Sequence, residues 1–163
     1  MSYRRFALMI VVSTIIMFGL MYLNTYQLAH VRFSETRAFM AVVMGAAMGL
    51  IMLGLMFDMY PDRRKNLAIL GGCGLIFAAA LWLVRSQTTV DDVAYMKAMI
   101  PHHSIAILTS EHAQIRDPRV RDLADRIRQT QLEEIAEMEG LIAAIEARPT
   151  PDDAPVLPVR PPA

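Results

Sequence analysis

The chain has 163 residues, sixteen Lys plus Arg against sixteen Asp plus Glu, and 55% hydrophobic residues. That length allows one small domain once membrane segments are set aside, and the zero charge balance, with no basic arm or zinc-finger spacing, argues against a nucleic-acid partner. A single cysteine, Cys73, excludes an internal disulfide and a multi-cysteine zinc site, and is expected to be a small packing residue.

Three uncharged apolar runs come first: 6–23 (FALMIVVSTIIMFGLMYL), 38–57 (AFMAVVMGAAMGLIMLGLMF) and 67–84 (LAILGGCGLIFAAALWLV). Each is close to the roughly 20 residues that cross a bilayer as helix. The first has an apolar region too long for a signal peptide and no small-x-small cleavage site after it, so it is expected to stay as an anchor. Arg4 and Arg5 precede the first run, and Arg63, Arg64 and Lys65 separate the second and third. Next to the spans, the other side receives Arg32 and Arg37 in the first loop and Arg85 after the third run. The positive residues predict a membrane domain over 1–87 with everything after residue 85 outside the cytoplasm, which in a Gram-negative cell is the periplasm. Tyr22, Tyr26, Tyr60 and Trp82 fall near span ends, where interfacial aromatics gather. Met40, Met44, Met48, Met52 and Met56 recur every four residues in the second run, a pattern read as lipid contact or helix packing. Gly45 and Gly49 form a GxxxG pattern that permits close helix approach.

The pattern then turns polar and helical. Thr88 or Thr89 is expected to cap a helix over 89–116, with Asp91 and Asp92 in its first turn. Asp117-Pro118 signals a restart, and a second helix over 118–147 carries an apolar stripe that includes Val120, Leu123, Ile127, Ile135, Met138 and Leu141. The prolines of 148–163 predict a disordered tail. Pro101 is expected to kink the first of these helices or to mark its true start. The fold class is therefore all-α: three transmembrane helices, then an extracytoplasmic helical hairpin over 88–147. Two helices make a thin core, so a partner is expected: a second copy completing a four-helix bundle, or the membrane surface. Arg119, Arg121, Arg126 and Arg128 lie early in the second helix, and Glu133, Glu134, Glu137 and Glu139 late. Antiparallel pairing of two such helices would set Arg against Glu.

Folding the hairpin about Asp117 brings His102 and His103 level with the stretch near Gln131–Glu133, and Met96 and Met99 level with 136–139. Met96, Met99 and His103 share one helix face, with His102 to one side, while Gln131, Glu134 and Met138 share a face of the second helix that is expected to point inward. Three readings stay open on these residues. Thioether and imidazole together suit Cu(I) or Ag(I). A di-iron centre would use Glu-x-x-His, but this chain has Met99-x-x-His102 in that place. A structural pairing of His103 with Glu134 needs no metal. His112 and His30 are expected at the surface. No nucleophile elbow and no phosphate loop is present, so no enzymatic activity is expected.

The blocks MIPHHSIAI, DPRVRDLADRI and QLEEIAEM, in that order, resemble the family called domain of unknown function 305, grouped with ferritin-like four-helix proteins. The resemblance covers about residues 88–145, and FSETRAFM with LVRSQTTVDDV is similar to a membrane-anchored branch with three N-terminal spans. It implies a helical bundle outside the cytoplasm and, from some relatives, copper or silver binding. The matching positions are Met99, His102, His103, Gln131, Glu134 and Met138. Residues 88–147 supply one hairpin where longer members have a full bundle, which points to a homodimer. The expectation is a protein of the bacterial inner membrane, in contact with the lipid bilayer, that sequesters or hands over Cu(I), with Ag(I) as surrogate and no organic cofactor. Met99, His102, His103 and Met138 would be ligands, with Glu134, Gln131 and Met96 supporting them, and a copper-handling protein would be a further partner. The alternative is a metal-free assembly module of the inner membrane.

Overall fold

The computed structural model describes residues 2–151 and 153–160. Among them it contains five α-helices, two single-turn 3-10 segments and no strand: α1 (Tyr3–Leu20), α2 (Glu35–Leu55), α3 (Arg63–Ser86), α4 (Asp92–His112) and α5 (Pro118–Ala147). Side-chain caps start four of the helices. Ser34 accepts from the Arg37 amide, Asp62 from those of Arg64 and Lys65, Asp91 from Ala94 at 2.7 Å, and Asp117 from Arg119 at 2.9 Å. Each satisfies an amide that has no partner within its own helix. The cap of α4 is thus Asp91, not Thr88 or Thr89.

The apolar helices α1, α2 and α3 are each long and apolar enough to cross a membrane. α2 packs between the other two. A Cβ added at Gly45 would collide with the Thr14 hydroxyl of α1, and one at Gly49 would lie 2.9 Å from Cys73 Sγ of α3. The GxxxG pair therefore serves contacts inside this chain. The four methionines of α2 and Met56 just after it are all half-buried, and Met52 and Met56 pack against the cluster of Phe6, Leu53 and Tyr60. Leu8, Ile15, Ile51, Leu67, Leu75 and Trp82 point outward, a surface suited to lipid.

One end of this unit is closed by a polar knot. Buried Asn66 donates to the carbonyls of Phe57 and Tyr60 and accepts from the Tyr3 hydroxyl at 2.7 Å. The starts of α1 and α3 therefore meet, and Arg4, Arg5, Arg63, Arg64 and Lys65 gather at the same end. The four aromatics expected near the span ends differ in burial. Of the four, only Trp82 is largely exposed. Tyr60 packs on Tyr3 and Phe6, and Tyr22 accepts from the Ser34 amide with the Arg37 guanidinium 4.5 Å above its ring.

Tyr26 turns away from the apolar unit and onto the hairpin. Its amide donates to Ser104 Oγ of α4 at 2.7 Å, and its ring packs on the cluster of Ile100, Ile107 and Ile135. His30, expected at the surface, is buried, with Nδ1 3.0 Å from the same Ser104 oxygen. The physical reason is that Ser104, itself fully buried, supplies the polar partner a buried imidazole needs. Arg32 reaches Glu139 of α5 at 3.3 Å. The segment linking α1 to α2 thus covers one side of the hairpin, and its Tyr26 joins the core between α4 and α5.

Gln87, at φ 52, turns the chain out of α3. α4 then begins at Asp92, later than expected, and ends at His112 instead of running to Arg116. Residues 113–117 are needed to reverse the chain, a normal length for the link of a helical hairpin. Pro101 lies inside α4, which does not start there. The early arginines of α5 find partners in this chain: Arg119 with Asp117, Arg121 with Asp125, Arg126 with Asp122 and Arg128 with Glu111. The described residues of the tail beyond Pro149 form no helix or strand and are exposed. The expectation of disorder over 148–163 includes Asp152 and 161–163, which lie outside the described residues.

Candidate functional site

Between α4 and α5 runs an open groove of about 810 Å³. Met96, Met99 and His103 line it from α4, at spacings that place them on one face. Glu134, Glu137, Met138 and Leu141 line it from α5. Ile100, Ile107 and Ile135, buried directly between the two helices, hold these faces at a fixed distance. Three thioethers, one imidazole and two α5 carboxylates therefore share a space bounded by apolar side chains.

The His103 ring is held at both nitrogens. Nδ1 lies 3.0 Å from the Met99 carbonyl, and Nε2 lies 2.8 Å from Glu134 Oε2. Both neighbours are acceptors, so the ring satisfies them only with an N–H on each side or with the Nε2 proton shared with Glu134. Gln131 adds a donor, its Nε2 3.3 Å from the same Glu134 oxygen. The His103 side chain is 12% exposed and that of Glu134 is 45% exposed. Glu134, expected to point inward, reaches His103 across the groove while staying half-exposed.

The structure brings Met96, Met99, His103, Glu134 and Met138 together along the groove, with Gln131 supporting Glu134. It leaves His102 outside: exposed, absent from the lining, its ring centroid 6.1 Å from that of His103. Consecutive helical residues point about 100° apart, and only one of the pair can face α5. His112 is exposed, with Nδ1 3.0 Å from the Leu108 carbonyl. Tyr95, Asp91, Asp92 and Glu137 also line the groove, and sequence reasoning did not assign them to it. The position of Tyr95, one turn before Met99, was the available signal for it.

Beneath the groove, Tyr26 and Arg128 both engage Glu111. The Tyr26 hydroxyl hydrogen bond, aided by Arg128, holds the Glu111 carboxyl below the ordinary carboxylate range. At the hairpin's turn, the Arg119 guanidinium does the same for Asp117.

Among the described residues, no group of three or more His, Cys, Asp or Glu side chains gathers as a metal cluster. Asp91, Asp92, Glu134 and Glu137 all line the groove but do not converge as such a cluster. Met96, Met99 and Met138 add thioether sulfur to the lining and His103 one imidazole, softer donors than carboxylate.

The arrangement defines a helical hairpin carried on three apolar helices, with a sulfur- and imidazole-lined groove. Residues 92–157, which are α4, α5 and the start of the tail, match the family described as Domain of unknown function (DUF305). An uncharacterized protein of Acanthamoeba polyphaga mimivirus is 38% identical over 69 residues, which are 41% of this chain and 45% of that protein. The chain thus spans less than half the length of this relative. No solved structure matches.

Proposed function

We propose that this chain is a protein of the bacterial inner membrane whose hairpin faces the periplasm and binds Cu(I), with Ag(I) as a surrogate, for sequestration or handover to a copper-handling partner. It carries out no reaction of its own. Gathering of the basic residues at the end opposite the hairpin supports the orientation. The observation that carries the metal reading is the His103 ring on the groove wall, Nδ1 fixed on the Met99 carbonyl and Nε2 on the Glu134 carboxylate, with Met96, Met99 and Met138 in the same lining. Met99, Met138 and His103 Nε2 would hold the ion, with Met96 as a further sulfur. Glu134 occupies Nε2 until an ion does, and Gln131 keeps that carboxylate near. The four-residue step of methionines in α2 has no polar partner and is assigned to packing.

The test is a Cu(I) competition titration against a chromogenic chelator, anaerobic and under reducing conditions, on the full chain in detergent micelles. Stoichiometric retention that is lost in His103→Ala and weakened in Met138→Ala is expected. A folded wild-type chain that fails to compete at micromolar copper would refute the reading. The second reading, a metal-free assembly module, rests on the chain Gln131–Glu134–His103–Met99 carbonyl, which already satisfies both ring nitrogens. It predicts unchanged assembly with no copper retained.

A further inference from the structure

We infer that the uncovered face of the hairpin is a self-association surface, and that a second copy of this chain docks there. One side of the hairpin is already taken: Tyr26 and His30 lie on α4, and Arg32 reaches α5. Among the described residues, no further helix packs on the other side. On it, α5 presents Val120, Ile127, Glu134 and Leu141, each seven residues from the next. The three apolar members are 48%, 39% and 46% exposed, and neighbouring Leu123 is 49% exposed. Seven-residue spacing keeps a side-chain row along one helix–helix seam. Tyr95 of α4, 56% exposed, extends the apolar surface across the groove.

The order of residues along this face favours a copy of itself as the occupant. Val120, Leu123 and Ile127 form an apolar block, Thr130, Gln131 and Glu134 a polar one, and Met138, Leu141 and Ile145 a second apolar block. A pattern with like ends and a polar middle matches itself in either helix direction, as a two-fold interface requires of one patch used twice. A polar position within an apolar seam also fixes register, since sliding would bury Glu134 against the other copy's apolar block. The dimensions are adequate. A face two helices wide, roughly 20 Å, and about 30–45 Å long offers on the order of the ~800 Å² per partner that stable pairs bury. Three apolar helices confine each copy to the same plane, which raises the encounter rate of matching faces.

The test is made without metal, so a failure of copper binding leaves it untouched. The full chain is reconstituted in detergent micelles and its protein mass followed by light scattering as the chain is diluted. A dimer is expected for the wild type. The double substitution Ile127→Glu with Leu141→Glu, at exposed positions, is expected to weaken it at least tenfold while the helical circular-dichroism signal is kept. A wild-type chain that is monomeric throughout would overturn the inference, as would a double variant that dimerises as well as the wild type, since the contact would then lie in α1–α3. A third chain ending at Arg148 tests the tail, whose Val156, Leu157 and Val159 are exposed. It is expected to dimerise like the wild type; dimerisation gained only on truncation would show that the tail covers the face in the intact chain, and would overturn the inference.

Discussion

Removing one oxygen atom should undock the α1–α2 segment from the hairpin. Ser104 Oγ is fully buried and takes the Tyr26 amide at 2.7 Å while lying 3.0 Å from His30 Nδ1. Ser104→Ala leaves both partners facing an apolar wall. A buried donor or acceptor left without its hydrogen bond costs ~1–3 kcal/mol, so the pair together should weaken the docked state by about 2–3 kcal/mol after local relaxation. At 1.4 kcal/mol per factor of ten, that is roughly a 30- to 100-fold rise in the open population. Hydrogen exchange by mass spectrometry, on the chain in lipid nanodiscs, reads this directly. The peptide containing Tyr26 should lose protection by about that factor, while peptides from the middle of α2 keep theirs. The α4 helix itself should persist, since alanine is the better helix former. Unchanged exchange at Tyr26 would mean that the Ile100–Ile107–Ile135 contact alone holds the segment, and would refute the reasoning.

Other consequences follow from the same geometry. His103→Ala should lower Cu(I) affinity at least tenfold, whereas His102→Ala should change it less than twofold, because only His103 lines the groove; chelator competition on both variants decides this. Gly45→Ala should destabilise the apolar unit by about 1–3 kcal/mol through its collision with Thr14, and Thr14→Ala should restore part of the loss in a detergent unfolding titration. Glu111, whose carboxyl is held low chiefly by the Tyr26 hydroxyl and then by Arg128, adds a pH dependence. A depressed folded-state value means that its contribution is complete above the ordinary value near 4.5 and is lost as pH falls through the lowered one. Protection of the Tyr26 peptide should therefore decline below about pH 4.5 in the wild type, and Tyr26→Phe should flatten that decline.

Local signals made much of this molecule legible. Apolar runs of membrane length and the Asp117-Pro118 restart carry their meaning within a few residues, and the register of an antiparallel hairpin follows from counting outward from its turn. That counting was enough to set His103 near Glu134. The ends of α4 were less readable, because Asp91 competes with Thr88 and Thr89 for the cap and because the chain must leave helix early to reverse before Pro118. The choice between His102 and His103 rested on a rotation of one residue, which periodicity gives only when both helices' inward faces are known. The contact of Tyr26 and His30 with Ser104 spans 78 and 74 residues, and nothing near His30 marks it as buried. Such a contact belongs to the tertiary structure, and a single sequence carries no local trace of it.

The segment that links α1 to α2 gives the anchor a meaning beyond tethering. Hydropathy divides the chain near residue 87, yet Tyr26 and His30 complete the wall behind Ile100, Ser104 and Ile107. A hairpin released by cutting there would open to water the surface on which its own helices pack. A foreign anchor grafted in place of residues 1–87 would hold it at the bilayer but leave that wall missing. The apolar half thus contributes Tyr26 and His30 to the packing of the polar half.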